Sequence, residues 1–243
     1  MALRQFLYLR KALLPSQRPT SLKSSDIAWA FHSESQASLL EAYPGIVNNP
    51  GYEWSDLFVI GVGYWFRHLK SLQVHIEKVA KNVFQRTQLP LKAALFYVAL
   101  RRLPLLCALF RSVGDQRMAL FFGNDFSDSK NQTAALKNAY ALLGKQRFEE
   151  AACFFILGNQ LQDAVKICIR NLKDPQLGLV LCRLYLNDEG VLFNTILRAD
   201  LLVYAQEECD PYLTSILLWQ LKEYPSSLNV LINHSNRGCV FLK

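Results

Sequence analysis

The sequence predicts an all-α protein built as a helical-hairpin solenoid, with tetratricopeptide-like or coat-like stacked helix pairs and no sheet. Two observations predict it. Apolar side chains recur at spacings of three and four through four short consecutive segments between Asn131 and Leu186, as they do on one face of an α-helix. None of these segments can bury its apolar face alone, so each must pack against the next one, as in a repeat solenoid.

Short polar or glycine-containing breaks separate the four predicted helices of this stretch. Gly144 closes the first helix and Gly158 the second, since glycine is frequent just after a helix end. Before the fourth helix, Asp174 offers an N-cap and Pro175 suits the first helical position. The predicted helices run over Asn131–Leu143, Phe148–Leu157, Leu161–Leu172 and Leu177–Leu186.

Small and aromatic side chains alternate where the first two of these helices are expected to meet. Ala139, Ala151 and Ala152 allow two helix backbones to approach closely, and Tyr140 and Phe155 fill the groove between them. This arrangement is typical of a tetratricopeptide-like hairpin, although the repeat consensus is absent. It suits an ordinary helical core equally well, so it predicts packing and no particular activity.

The rest of the chain extends the helical pattern in both directions. Pro104 predicts a kink or a break between two apolar segments, and Gly61 and Gly63 weaken another predicted helix. Near the end of the chain, Asp210 is expected to cap one more helix. The further helices are predicted from Ile27 onward, over Trp54–Tyr64, Trp65–Phe84, Leu91–Leu100, Arg101–Arg111 and Val191–Ala205, and from Pro211 up to Pro225, which ends the last one.

Charge is distributed unevenly between the two halves of the chain. Residues 1–120 hold 15 Lys and Arg against 7 Asp and Glu, a net charge of +8, whereas residues 121–243 hold 12 against 13, a net charge of −1. A basic half can meet nucleic acid, anionic lipid or an acidic protein surface. We therefore expect an N-terminal helix and linker (1–25), a basic helical segment (26–120), a helical-hairpin repeat segment (121–234) and a divergent tail (235–243).

The cysteine and histidine patterns indicate no metal site. The six cysteines include no C-x-x-C pair, and Cys153, Cys168 and Cys182 fall inside predicted helices. Buried free thiols in a reducing compartment fit this pattern better than disulfides. His68 and His75 stand about two helical turns apart with no further ligand at suitable spacing, so both are expected to be ordinary helical histidines.

Targeting and membrane-spanning patterns are also absent from the sequence. The most apolar run, 93–110, is interrupted by Arg101, Arg102 and Pro104, whereas a membrane span needs about 20 mostly apolar residues. Met1–Leu14 is acid-free and carries arginines, as transit peptides do, but it reads better as one amphipathic helix. A peripheral role at a membrane stays compatible with these observations.

Catalytic motifs are missing as well. No Gly-rich phosphate loop follows a strand, and no G-x-S-x-G nucleophile elbow occurs. The adjacent pairs Glu149-Glu150 and Glu207-Glu208 cannot face each other on a helix, so we interpret them as solvent-facing. We expect no catalytic residue, no cofactor and no metal, and the sequence assigns no individual binding residue. A protein-binding scaffold is the expected function class.

Four runs of sequence resemble one known family, in the same order. They are DIAWAFHSESQASLL from Asp26, GVGYWFRHLKSLQVHIEKVAKNVFQR from Gly61, LKAALFYVALRRLPLLCALFR from Leu91, and FFGNDFSDSKNQTAALKNAYALLGKQRFEEAACFFILG from Phe121. These runs are similar to the C-terminal region of the rabconnectin or DmX-like proteins, the large subunit of the RAVE complex. The similarity extends over about residues 20–190.

The resemblance implies a non-catalytic scaffold that regulates assembly of the vacuolar-type proton ATPase (V-ATPase), and so vacuolar and endosomal acidification. It implies catalytic-sector subunits of the V-ATPase and a companion WD-repeat protein as partners, without nucleic acid. It implies a cytoplasmic location, peripheral to endosomal, vacuolar or synaptic-vesicle membranes through those partners. Because family members are much longer and carry N-terminal propellers, this chain is expected to be a fragment, a short isoform or an incomplete gene product. A coat-like vesicle-trafficking scaffold and a basic nucleic-acid-binding helical module are the alternatives.

Overall fold

The computed structural model describes residues 36–43, 46 and 48–236, and every regular element in this part of the chain is a helix. The chain divides into two compact units, Met1–Asn131 and Gln132–Lys243. Within each unit, most consecutive helices pack against each other. The predicted all-α stack of helix pairs without a sheet is therefore confirmed, while the finer division into four segments stays a prediction. The predictions for residues 1–35 and 237–243 lie outside the described residues.

The first unit is organised around one almost completely buried helix. Its described helices are α1 (Gln36–Ala42), α2 (Trp54–Val59), α3 (Val62–Trp65), α4 (Leu69–Thr87), α5 (Pro90–Ala99), α6 (Leu103–Ser112) and α7 (Gln116–Phe122). Residues 93–99 of α5 are all buried, because α4 packs on one side of this helix and α6 on another. In α4, Leu72, Ile76 and Val79 are fully buried at spacings of four and three, as predicted for one helical face.

The segment 54–64 was predicted as one helix, and this prediction is wrong. The chain breaks at Gly61, whose φ of 66° lies in the left-handed region that glycine adopts without steric cost. The indole Nε1 of Trp65 donates a hydrogen bond of 2.8 Å to the carbonyl of Ile60 at this break. Since Trp65 is only 1% exposed, the break serves to bring this large side chain into the core.

Buried polar side chains tie the loops of the first unit to its helices. Gln36 is fully buried; its amide donates to the carbonyl of Trp65 at 3.2 Å and accepts from the backbone N–H of Arg67 at 2.6 Å. Asn82 donates to the carbonyls of Pro50 and Tyr52, at 3.2 and 2.7 Å. These bonds satisfy loop carbonyls that burial would otherwise leave unpaired.

A helix that we did not predict follows α6. Asp115 caps α7 by accepting a hydrogen bond of 3.0 Å from the backbone N–H of Met118. Ala119 and Phe122 of α7 are buried, and the ring of Phe122 stacks on Phe110 of α6 with 5.1 Å between centroids. The N-cap residue and the spacing of three between the two buried positions were visible in the sequence, but seven residues are few for a periodic pattern.

The second unit contains the stretch on which the fold prediction was based. Its helices are α8 (Ser129–Gly144, whose first residues precede the unit boundary), α9 (Phe148–Leu157), α10 (Leu161–Arg170), α11 (Pro175–Leu186), α12 (Val191–Ile196), a π-helical segment (Leu197–Leu202), α13 (Val203–Glu207), α14 (Pro211–Gln220) and α15 (Tyr224–Asn236). The observed bounds of α9 are those predicted. Asp174 caps α11 as predicted, accepting from the backbone N–H of Leu177 at 2.8 Å, with Pro175 in the first turn.

Close packing joins α9, α10 and α11 in sequence. Residues 151–157 of α9 and 175–184 of α11 are buried without interruption, because neighbouring helices cover both. The small residues predicted at the α8–α9 contact are buried too, with Ala139, Ala151 and Ala152 fully inaccessible. Tyr140 meets Phe155 edge-on with 5.1 Å between ring centroids, although Tyr140 itself is largely exposed.

Pro225 was predicted to end the last helix, and this is wrong. The preceding helix α14 already ends at Gln220, and Pro225 is the second residue of the next helix, α15. Proline is tolerated in the first helical turn because the N–H that it lacks has no partner there. A proline between two apolar segments therefore marks a boundary without telling which side of it is helical.

Four cysteines of the described residues carry buried free thiols, as the sequence predicted for three of them: Cys107, Cys153, Cys168 and Cys182. Burial raises the pKa of all four thiols, so they react poorly as nucleophiles. Cys209 is exposed.

We expect iodoacetamide to alkylate Cys209 in the native protein about a thousandfold faster than Cys153, Cys168 or Cys182, because the buried thiols react only after unfolding. Mass spectrometry of tryptic peptides after timed alkylation measures these rates. The control is the same reaction in denaturant, where all rates become similar. Native labelling of Cys168 at the rate of Cys209 would contradict the burial.

Candidate interaction groove

The helical segment 191–207 has an unusual apolar period. Phe193, Leu197, Leu201 and Ala205 are all buried, at a constant spacing of four. An α-helix has 3.6 residues per turn, so side chains at this spacing would drift around it by about 40° per step. The π-helical segment Leu197–Leu202 widens the turns and thereby keeps the four side chains on one buried face.

The widened turn forms one wall of a groove. It packs against α10, and the two are also joined by a hydrogen bond of 2.8 Å from the Gln162 amide to the Asp200 carboxylate. The groove encloses about 370 Å³ of space open to solvent. Its lining residues are Lys166, Ile169 and Arg170 from α10, Ala199 and Asp200 from the π-helical segment, and Val203, Tyr204 and Glu207 from α13.

Opposite charges face each other across this groove. Lys166 and Arg170 lie four residues apart on one side of α10, and Asp200 and Glu207 lie on the other wall. Lys166 contacts Asp163 at 3.6 Å, and both side chains are substantially exposed. This ion pair therefore contributes little to stability. Neither Arg170 nor Glu207 forms an ion pair with another described residue.

Apolar and hydroxyl groups occupy the remainder of the groove. Ile169 is buried, whereas Val203 is 42% exposed and Ala199 is exposed as well. Burial raises the pKa of the Tyr204 hydroxyl, and the carboxylates of Glu208 and Asp210 raise it further, so this hydroxyl stays protonated and can donate a hydrogen bond. A groove that combines apolar side chains with a basic and an acidic wall suits a peptide segment of a protein partner.

The sequence did not point to this groove, because its two walls are about 30 residues apart in the chain. The spacing of four from Phe193 to Ala205 was the available signal, and we interpreted that segment as an ordinary helix. The interpretation of Glu149-Glu150 as solvent-facing is wrong in part. Glu149 is exposed, but Glu150 is 3% exposed and forms an ion pair with Arg147.

The two histidines considered as metal ligands take separate structural positions. His68 precedes the first residue of α4 and is exposed. His75 lies within α4, where its Nδ1 hydrogen-bonds to the hydroxyl of Tyr52 at 2.8 Å and its ring meets Phe66 edge-on. Among the described residues, no group of three or more His, Cys, Asp or Glu side chains is arranged to hold a metal ion.

Comparison with known proteins identifies the family of this chain. A family model described as RAVE protein 1 C terminal matches residues 1–238. The chain is 41% identical to human DmX-like protein 1 over 229 residues, which are 89% of this chain and 8% of that protein. It is 30% identical to Regulator of V-ATPase in vacuolar membrane protein 1 of Saccharomyces cerevisiae over 218 residues, 87% of this chain and 16% of that protein.

A second yeast relative gives the same result. Regulator of V-ATPase in vacuolar membrane protein 1 of Schizosaccharomyces pombe is 30% identical over 220 residues, 88% of this chain and 17% of that protein. The chain therefore spans less than a fifth of the length of these relatives. The matched residues include both compact units, so the resemblance inferred from four runs of sequence is confirmed over a longer range. The chain belongs to the RAVE protein 1 C-terminal family.

Proposed function

We propose that this chain is a binding region of a V-ATPase assembly regulator. The observation that carries the proposal is its membership of the RAVE protein 1 C-terminal family over 238 residues, together with two yeast relatives named as regulators of the V-ATPase. In this proposal the chain is a non-catalytic scaffold. It promotes the assembly of the proton pump, and so vacuolar and endosomal acidification, by holding other subunits.

The partners that we propose are catalytic-sector subunits of the V-ATPase and a companion WD-repeat protein. The location is cytoplasmic and peripheral to endosomal, vacuolar or synaptic-vesicle membranes. The two yeast relatives are named as regulators of the V-ATPase in the vacuolar membrane, which supports this location. A stack of helix pairs suits such a role, because its helices present extended surfaces to a partner.

The groove between α10 and the π-helical segment is the proposed contact with the V-ATPase. Arg170 and Glu207 provide two charges of opposite sign, and Val203, four residues before Glu207, adds an exposed apolar side chain. A partner segment with one acidic, one apolar and one basic side chain matches these three positions. Charges arranged in this way select a partner and its orientation more than they add affinity.

Arg170→Glu is expected to weaken binding of the detached V-ATPase catalytic sector about tenfold, the effect of losing a contact worth about 1.4 kcal/mol. The immobilised whole chain is titrated with catalytic sector at moderate salt, and the retained fraction is measured. Lys137→Glu is the matched control, since Lys137 is an exposed cation of α8 outside the groove. Equal retention by Arg170→Glu and the unchanged chain would assign the contact to another surface. A folded chain that retains no catalytic sector contradicts the proposed function.

The same experiment separates the two alternatives. A coat-like trafficking scaffold uses similar helix pairs, and selective retention of coat subunits in place of the V-ATPase would favour it. A nucleic-acid-binding module would use the basic first half, and its binding would fall steeply with salt because phosphate contacts release counterions. Adding nucleic acid as a competitor leaves V-ATPase binding unchanged if our proposal is right.

A further inference from the structure

The outer faces of α6 and α7 expose apolar side chains. Helix α6 buries Leu106 and Phe110, while its opposite face presents Leu105 and Ala108 to solvent. On α7, Leu120 is 73% exposed. Covering exposed aliphatic side chains is favourable in free energy, because their apolar surface is removed from water. These faces are therefore suitable for contact with a second surface.

The segment that contains these two faces is basic. From Pro90 to Phe122 the chain carries five cations, Lys92, Arg101, Arg102, Arg111 and Arg117, against one acid, Asp115, so the net charge of this segment is +4. The Asp115 carboxylate is already used as the N-cap of α7. Arg102 contacts Glu77 at 3.8 Å between two exposed side chains, a weak pair.

Two of these arginines lie beside the exposed apolar residues. Arg111 is three residues from Ala108 on α6, and Arg117 is three residues from Leu120 on α7, so each pair shares a helix face. Both arginines are exposed, and neither forms an ion pair with a described residue. Each helix thus combines an available cation and an exposed apolar side chain on one face.

We infer that the outer faces of α6 and α7 bind an anionic phospholipid surface. A membrane surface offers lipid phosphates and carboxylates to the arginines, and directly beneath them an apolar layer to Leu105 and Leu120. Nucleic acid offers the phosphates without the apolar layer. An acidic protein surface must present carboxylates and apolar atoms in one matching arrangement, whereas any patch of an anionic membrane presents both. The exposed apolar side chains near the arginines therefore favour lipid.

Flotation of the purified whole chain with phosphatidylcholine vesicles, with and without phosphatidylserine, tests the inference. We expect binding only to the phosphatidylserine vesicles, decreasing at high salt as surface charges are screened. The double variant Arg111→Gln with Arg117→Gln lowers the partition coefficient about 25-fold, since each cation near an anionic surface contributes a factor of about five. Leu120→Gln lowers it about tenfold at unchanged charge.

A matched control removes the same charge elsewhere. Lys137→Gln with Lys145→Gln takes two exposed cations from the second unit and leaves vesicle binding within about twofold of the original. Circular dichroism verifies that every variant keeps its helix content. The inference is overturned if both double variants lose binding equally, if phosphatidylserine has no effect, or if the chain binds polyglutamate or nucleic acid but no vesicles.

Discussion

Arg183→Ala is expected to lower the free energy of unfolding of the second unit by about 3–5 kcal/mol. Arg183 lies on α11 with 1% of its side chain exposed. Its guanidinium donates to both carboxylate oxygens of Asp188, with Nε to Oδ1 at 2.9 Å and Nη2 to Oδ2 at 3.2 Å. The alanine leaves a cavity and a carboxylate without its counterion.

The ion pair also determines the turn that follows α11. Asn187 and Asp188 both have positive φ, 57° and 61°, a conformation that costs energy for residues with a side chain. The bidentate contact to Arg183 anchors the Asp188 side chain three residues before α12 begins. Loss of Arg183 is therefore expected to loosen the α11–α12 connection as well as the core.

Amide hydrogen exchange of α9, α10 and α11 measures the effect for this unit separately from the other. Arg198→Ala is the matched control, because Arg198 pairs with Glu223 between side chains that are 54% and 33% exposed. That surface pair is expected to contribute less than about 1 kcal/mol. If both variants lower the free energy of unfolding by the same small amount, burial of Arg183 does not increase the contribution of its ion pair to stability.

Local chemistry explains which parts of the fold were predictable. The end of α9 follows from the break at Gly158 and Asn159, in which Asn159 has a left-handed φ of 58°, and its extent follows from the apolar run before this break. The starts of α11 and α14 follow from Asp174 and Asp210, whose carboxylates accept hydrogen bonds from backbone N–H groups of the first turn. In each case the determining residues lie within one turn of the boundary, so the sequence shows them directly.

The missed features depend on contacts that are distant in sequence. The break at Gly61 lets Trp65 enter the core, and Glu150 is buried although it lies in the first turn of α9. The groove requires α10 and the π-helical segment together. Periodicity within one segment describes the buried face of that segment and does not identify the neighbour that covers it. Gly61 indicated a weak point in its predicted helix, and the spacing of four from Phe193 indicated an unusual segment, but neither pattern gave the tertiary contact.

The role of Gly158 also depends on a contact that is distant in sequence, although the sequence alone seemed to explain this glycine. We predicted it as the residue that ends α9, where its conformational freedom would be used. In the structure its φ is −76°, which any residue adopts. A Cβ at this position would lie 2.5 Å from Cδ2 and 2.6 Å from Cγ of Leu136 on α8. Glycine at this position leaves room for the Leu136 side chain of α8.

Gly158→Ala is accordingly expected to lower the free energy of unfolding of the second unit by about 3 kcal/mol, the upper part of the range for overpacking. Carbon atoms at favourable contact are about 3.5–4.0 Å apart, so Leu136 or the whole of α8 must move by about 1 Å. Gly144→Ala is the control. Nothing lies within 4 Å of a Cβ at Gly144, and alanine at this last position of α8 is neutral or stabilises by up to about 1 kcal/mol.

A double-mutant cycle assigns the effect to this contact. Leu136→Ala removes the atoms that the new Cβ meets, so the double variant Leu136→Ala with Gly158→Ala is expected to be more stable than the sum of the single effects predicts, by about 1–3 kcal/mol. Chemical denaturation followed by hydrogen exchange of α8 and α9 provides the four free energies. Additive effects would mean that Gly158 acts through its backbone alone. A positive coupling would show that α8 and α9 pack as they do because Gly158 has no side chain. The small residues Ala139 of α8 and Ala151 of α9, which are fully buried, agree with such close packing.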